Sequence, residues 1–291
     1  MSNISAKTIL YTTPEVGLEE YSLITIEVNC PYFVWVELLT HKRFGRNASS
    51  NRALSVKKNI ETLGYYKPDT FFLRGKGMQS GTPIEQFSAL DNYCIDAWDS
   101  VWEFCSNVAK NLEENGITKE QASRVLPTFK MMKGLVTGTY DAWMKFLELR
   151  DSPFADNAMQ DLAKKIRFQI ENPDKEVYQI GHMHVPFWKA DYYTTNAYLI
   201  AAGRIARISY NANSSDDEAD HILGQRVINN GHLSPIEHIA MWGDDPLKSA
   251  ICSKNEDCWV NDLVLGWTNL RSWYEEFHNI ETFEAKRTSG Q

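Results

Sequence analysis

A chain of 291 residues with 43% apolar side chains is long enough to bury a sizeable core. Its formal net charge of −8 disfavours nucleic acid polymers as partners, no apolar run approaches the ~20 residues that span a bilayer, and the first residues lack a charged-then-apolar leader, so a cytoplasmic protein is expected. Five cysteines (Cys30, Cys94, Cys105, Cys252, Cys258) at no metal-finger spacing read as reduced thiols, not as a disulfide framework.

In chain order, residues 22–28 alternate apolar with polar through β-branched side chains, which predicts a half-buried strand ended by Pro31. Phe33, Val36 and Leu39 then recur at helical spacing, so a short helix over residues 32–40 leads into a polar run. Residues 57–83, with Gly64, Gly75, Gly77 and Gly81, predict a long ordered loop, a feature that tends to carry function. Apolar residues at three-to-four spacing over 84–112 predict a long amphipathic helix stopped by Asn115-Gly116. Thr118-Lys119-Glu120-Gln121 is a capping box that opens a further helix, ended by Pro127. Helical patterns cover residues 140–149, 155–169 and 196–210. Ser215-Asp216-Asp217-Glu218 caps another helix that runs to Asn230 and stops at Gly231, and a last one covers residues 260–277 before a polar tail, 284–291. Neither a repeat nor a linker divides the chain, so the expectation is one helix-rich α+β domain over residues 1–283 with a small mixed or antiparallel sheet.

The run Thr40-His41-Lys42-Arg43-Phe44-Gly45-Arg46-Asn47-Ala48-Ser49-Ser50-Asn51-Arg52 gathers cations, hydroxyls, an amide and a histidine. Lys42, Arg43, Arg46 and Arg52 would offset phosphate charge while Ser50 and Asn47 add neutral hydrogen bonds, which suits a phosphorylated ligand; a solvated basic loop is the alternative. His182 and His184 lack a neighbouring cysteine or acidic cluster to complete a metal site and read as structural.

Together with Ala206-Arg207-Ile208-Ser209-Tyr210 and Gly231-His232-Leu233-Ser234-Pro235-Ile236-Glu237-His238, this run resembles the flavin-dependent thymidylate synthases. That family carries an Arg-His-Arg run with a downstream Asn-Glu-x-Ser-x-Arg, a Gly-His-x-Ser/Thr-Pro-Phe-Glu-His element, and an Ala-Arg-x-Ser stretch at the start of a helix. His41, Asn47, Ser50 and Arg52 fall at its spacing, and Arg124-Val125-Leu126-Pro127 and Phe146-Leu147-Glu148-Leu149-Arg150-Asp151-Ser152 resemble two further segments. In the family the Gly-His element precedes the Arg-His-Arg run, whereas here it follows far downstream. A circular permutation accounts for that order, since chain ends commonly lie close together on a surface.

The resemblance implies an enzyme in which FAD, reduced by NADPH, helps pass a one-carbon unit from methylenetetrahydrofolate to C5 of dUMP, in a homotetramer with sites at subunit contacts. It implies phosphate binding by Ser50 and Arg52, with Arg124 contributing from another subunit, and a contact from Arg150 that favours negative charge developing on the pyrimidine. Ser50 and Arg150 are thus the catalytic candidates, while His41, Lys42, Asn47, His232, Ser234 and Glu237 would line the flavin. Plainer readings stand beside these: Arg124 as a helix-surface cation, Arg150 as a cation at a helix C-terminus, and Ser234-Pro235 as an N-cap and first helical residue.

Several family positions are changed. Thr40 and Lys42 replace the outer arginines of the Arg-His-Arg run, Ala48 replaces a glutamate, and Glu37 stands in the substrate site where the family has glutamine. Thr139, Lys145 and Phe154 align with two asparagines and a histidine that the family places near its flavin. The Glu37 carboxylate only accepts hydrogen bonds, which suits the exocyclic amine of cytosine. Two alternatives follow: a flavin- and folate-dependent hydroxymethylase acting on dUMP or dCMP for modified-nucleotide synthesis, and a noncatalytic nucleotide- or flavin-binding relative.

Overall fold

The computed structural model describes residues 3–77, 79–188, 195–243 and 266–277. In chain order its first half contains β1 (Ser5–Thr13), β2 (Leu23–Pro31), α1 (Tyr32–Leu38), β3 (Gly45–Ala48), α2 (Val56–Lys58), β4 (Phe72–Arg74), β5 (Ser80–Pro83), α3 (Ala89–Glu114) and α4 (Lys119–Ala122). There follow β6 (Met131–Thr139), α5 (Tyr140–Arg150), α6 (Asn157–Glu171), β7 (Tyr178–Ile180), β8 (Met183–His184), α7 (Thr195–Ala206), α8 (Asp217–Asn229), β9 (Ala240–Trp242), β10 (Trp267–Asn269) and α9 (Leu270–Phe277). The fold is α+β and rich in helix. No helix among the described residues is long and apolar enough to cross a membrane.

A five-stranded sheet in the order β3-β6-β2-β1-β7 organises the rest; its pairings are antiparallel except that of β1 with β7. Strand period decides what each face meets. On β2, Ile24, Ile26, Val28 and Cys30 join the cluster of Trp35 from α1, Trp143, Phe146 and Leu147 from α5, and Leu162 and Ile166 from α6. The opposite β2 face carries Leu23 against Ala240 and Trp267, and Thr25 against His184. On β6, Leu135 joins Tyr198, Ala202, Ile205 and Ile236. The central sheet is therefore buried on both faces, which explains why β2 is more apolar than a half-buried strand. Gly134 and Gly138 of β6 are required by close approach, because a Cβ on either would overlap the ring of Trp35 or Phe44.

Several expectations need correction. Residues 57–83 are not one irregular loop: they hold the end of α2, a π-helical turn over Asn59–Leu63 and the β4-β5 hairpin. The long helix begins at Ala89, capped by the Ser88 hydroxyl, so Ile84 and Phe87 lie outside it, while Leu90, Val101 and Phe104 are exposed and Trp102 and Ala109 make the buried face. Arg207–Tyr210 form a 3-10 turn that ends α7 before the left-handed Asn211, and so do not start a helix. Ser234–His238 are likewise a 3-10 turn without a side-chain cap, so Ser234 is no N-cap. Trp267–Asn269 pair with β9 instead of continuing a helix, and residues 260–265 and the polar tail lie outside the described residues.

Strands β6 and β9 carry no period-two polar signal, because both their faces are covered, and on β1, exposed at Ser5 and Lys7, the covered residues begin at Thr8; the existence of all three emerges only from the pairing. Helices α7 and α8 meet backbone to backbone: a Cβ on Gly203 would overlap the Asp220 carbonyl, and one on Gly224 that of Leu199. Asp220, fully buried, ties the same seam through Arg204 Nε at 3.1 Å and Arg207 Nε at 2.5 Å. Gly224→Ala is expected to destabilise the fold by about 1–3 kcal/mol or more through this overlap. Equal urea midpoints for the variant and the parent protein would show that the seam is not tight.

Candidate active site

The β3 segment and the loop after it bring the basic run to the end of α7. Asn47 Nδ2 donates to the Ile205 carbonyl at 2.8 Å, and the Ser50 backbone N–H donates to the Ser209 carbonyl at 3.1 Å. On the same sheet face, Gly45 lies against Glu237, with room for only a tight Cβ contact at 3.4 Å. These bonds assemble a cavity of about 570 Å³ lined by Asn47, Ser50, Arg52 and Ala53, by Ala206, Ser209 and Tyr210, by Val227 of α8, by His232, Ser234 and Pro235, and by Lys119. Its size lies within the usual range for small-molecule sites, about 300–1,000 Å³. Three serine hydroxyls, a tyrosine hydroxyl, an amide, an imidazole and two cations face a floor that is partly apolar. That mixture suits an anionic, partly planar ligand held by few directed polar contacts.

Five of the residues expected at the site thus meet in one cavity: Asn47, Ser50, Arg52, His232 and Ser234. The remainder do not line it. Arg150, at the end of α5, donates from Nε to His41 Nε2 at 2.9 Å and from Nη1 to Glu37 Oε1. Arg43 pairs with Asp141 at 2.6 Å, and Arg46 Nη1 donates to the Leu39 carbonyl at 2.7 Å, so the basic run is not one phosphate-facing patch. Pairing of Gly45–Ala48 with β6 sends alternate residues to opposite faces and splits the cluster. Lys42 is exposed.

Glu237 is also engaged elsewhere. Its buried carboxylate accepts from Arg271 Nη1 on α9, and burial pushes its pKa up while the Arg271 guanidinium and the Arg46 backbone N–H oppose the shift. Arg271, Lys119, Ser209 and Tyr210 went unrecognised as site neighbours. Ser209 and Tyr210 belong to the Ala-Arg-x-Ser stretch and were open to inference, whereas nothing in the sequence distinguishes Arg271 or Lys119 from other surface cations.

Behind the site a chain of buried side chains crosses the sheet. Gln179 Nε2 donates to the Met183 carbonyl at 2.7 Å, which fixes the amide orientation, and to Thr12 Oγ1 at 3.0 Å. Thr12 contacts His184 Nδ1 at 2.8 Å, His184 Nε2 contacts Thr25 at 2.7 Å, Thr25 contacts Thr137 at 2.5 Å, and Thr137 contacts His238 Nδ1 at 2.8 Å. Because the Gln179 amide nitrogen can only donate, the order that satisfies each hydroxyl runs head to tail and leaves both imidazoles neutral and protonated at Nε2. His184 is thereby a structural residue with both ring nitrogens engaged.

Burial lowers the pKa of His184 and of His238 to about 3, and burial with the charges of Arg150 and Arg46 lowers that of His41 to about 4. The unfolded chain takes up these protons near the ordinary value of 6.5, so the stabilisation is complete above that pH and is lost as pH falls toward 4 and below. His41→Gln keeps an acceptor for Arg150 but removes one titration. Urea unfolding between pH 6.5 and 4 is therefore expected to lose about 1–3 kcal/mol less in this variant than in the parent. Parallel pH profiles would remove His41 from the acid sensitivity.

The profile of the family described as Thymidylate synthase complementing protein matches residues 17–173, more than half of the chain. The protein belongs to that family, the flavin-dependent thymidylate synthases. Among solved structures, a UMP/dUMP methylase, PolB from Streptomyces cacaoi, bound with 5-Br UMP, is similar with a TM-score of 0.50 at 17% identity, over 61% of this chain and 91% of its own. The same protein bound with 5-Br dUMP is similar with a TM-score of 0.42 at 21% identity, over 55% and 68%. The first of these likenesses establishes the shared fold. No curated protein matches the sequence.

Proposed function

We propose that this chain is a flavin-dependent thymidylate synthase that transfers a one-carbon unit from methylenetetrahydrofolate to C5 of dUMP. The observation that carries the reading is the meeting of Ser50 and Arg52 with His232 and Ser234 in one cavity, although the two pairs lie far apart in sequence. The same meeting supports circular permutation as the origin of the motif order. Family membership and the 5-Br UMP bound to the PolB structure of the same fold favour a pyrimidine nucleotide as substrate.

In this reading Arg52 and the Ser50 hydroxyl hold the phosphate. Ser50 Oγ already accepts from the Arg52 backbone N–H at 3.2 Å, which orients the hydroxyl to donate outward. His232 and Ser234 fit a flavin through directed donors and acceptors beside an apolar floor, with the Asn47 amide next to them already holding the Ile205 carbonyl. Glu237 and His41 fit it less directly, since Arg271 and Arg150 occupy them. When bound, FAD would supply the hydride that completes the methyl group, with NADPH as the source of electrons. Arg150 lies outside the cavity lining of its own chain, so a homotetramer in which sites form between copies remains part of the proposal.

The Glu37–Arg150 pair favours a second reading. A carboxylate on the guanidinium offsets the charge that would favour a negative pyrimidine, and it accepts from an amine such as that of cytosine. Substrate would then be dCMP, and the product a methylated or hydroxymethylated cytosine nucleotide.

Arg52→Ala is expected to weaken dUMP binding by about 1–2 kcal/mol in titration calorimetry, the exposed side chain placing the loss at the lower end for a charge-assisted contact, and to leave FAD uptake unchanged. Equal dUMP affinities would remove Arg52 from the site, and failure of the protein to take up FAD would remove the flavin. With FAD, NADPH and methylenetetrahydrofolate supplied, mass analysis is expected to show a methyl gain on dUMP, and Glu37→Gln is expected to raise the ratio of dUMP to dCMP turnover. Conversion of dCMP alone, or a hydroxymethyl product, would replace the first reading by the second.

A further inference from the structure

Two successive residues at the start of α4 meet the phosphate end of the cavity with opposite charges. Lys119 lines the cavity beside Arg52. Among the described residues its ammonium makes only a long bond, from Nζ to the Ala53 carbonyl at 3.4 Å, and so retains donors for a ligand. Glu120, the next residue, points elsewhere because neighbours in a helix do not share a face. Its Oε2 lies 3.5 Å from Arg52 Nε, and its Oε1 accepts from Arg124 Nη2 at 2.8 Å. One carboxylate thus spans two guanidinium groups, one of which is on the cavity wall. Arg52, Lys119 and Arg124 against Glu120 leave a local charge of three minus one, or +2, which matches a phosphate monoester of about −1.5 to −2 at neutral pH.

We propose that Lys119 is a further phosphate-binding residue and that Glu120 is the resident counter-ion which an incoming phosphate displaces from Arg52. The proposal rests on the nucleotide reading above and extends it: adjacent residues set the affinity for a phosphate monoester with opposite signs. Glu120 costs affinity because its hold on Arg52 must be given up, and because its negative charge stays close to the ligand. Lys119 adds affinity as a point charge that follows the phosphate without demanding a fixed geometry. Lys119 is exposed to solvent and Glu120 half-exposed, so each effect is modest and weakens with salt.

The test uses the full-length protein and titration calorimetry with dUMP and with deoxyuridine, which lacks the phosphate. Lys119→Ala is expected to weaken dUMP binding about five- to tenfold, and Lys119→Arg to restore most of it. Glu120→Gln is expected to tighten dUMP binding about two- to fivefold. Deoxyuridine affinity should be the same in all three variants and in the parent, and the salt dependence for dUMP should be shallower in Lys119→Ala. A general disturbance of α4 would move both positions in the same direction, so variants that both weaken binding overturn the proposal. Silent Lys119 and Glu120 variants alongside a weakened Arg52→Ala overturn it while leaving the nucleotide reading intact. A parent protein that does not bind dUMP overturns both.

Discussion

The pairing of β3 on β6 is the constraint on which the site depends. Four residues, Gly45–Ala48, form the edge of the sheet, and their register with Thr137–Gly134 places Gly45 and Asn47 on the face toward the segment that holds His232 and Ser234. Asn47 then clips the end of α7 through the Ile205 carbonyl, and Ser50 does so through that of Ser209. A slip of one residue would turn both of these toward α1 and present Arg46 and Ala48 in their place. Gly45 accommodates the Glu237 backbone at a distance that leaves little room for a larger side chain.

The same face holds an unusual amount of buried polarity. Thr12, Thr25, Thr137, His184 and His238 are all buried, and hydrogen bonds link them in series between β7 and the turn that precedes β9. Isolated, each such group would cost free energy to bury; in series, neighbours satisfy one another as far as His238, whose Nε2 has no hydrogen-bond partner among the described residues. Every member comes from a different strand or turn, so the network ties together β1, β2, β6, β8 and the Ser234–His238 turn. It lies directly behind Glu237, which is held from the other side by Arg271.

Pairing of charges governs what the cavity offers a ligand. Of the cations in the basic run, Arg43 and Arg46 serve the fold, through Asp141 and the Leu39 carbonyl, and Arg52 faces the cavity. Arg150 is held by Glu37 and His41. The net −8 of the chain therefore coexists with a small region of positive charge built from residues brought together by folding.

Much of the outline was legible in the sequence. Local signals mark α1, α3, α4, α5, α6 and α8, because caps such as Thr118 and Asp216 and stops such as Gly116 and Gly231 act over a few residues. The spacing of Asn47, Ser50 and Arg52, which lies within the matched residues 17–173, and the Gly-His-x-Ser-Pro segment pointed to the family, since residues on one short loop keep their order. Strands β6 and β9 were not legible, because a strand covered on both faces loses its alternation, nor was β1, whose polar Thr8, Thr12 and Thr13 are buried. Nor was the division of the expected site residues between the cavity, the Arg150 cluster and the Arg271 contact. Sequence determines which charges and hydrogen-bonding groups are available, but which of them face a ligand and which face one another depends on strand register and on partners distant in the chain, and only the tertiary structure decides that.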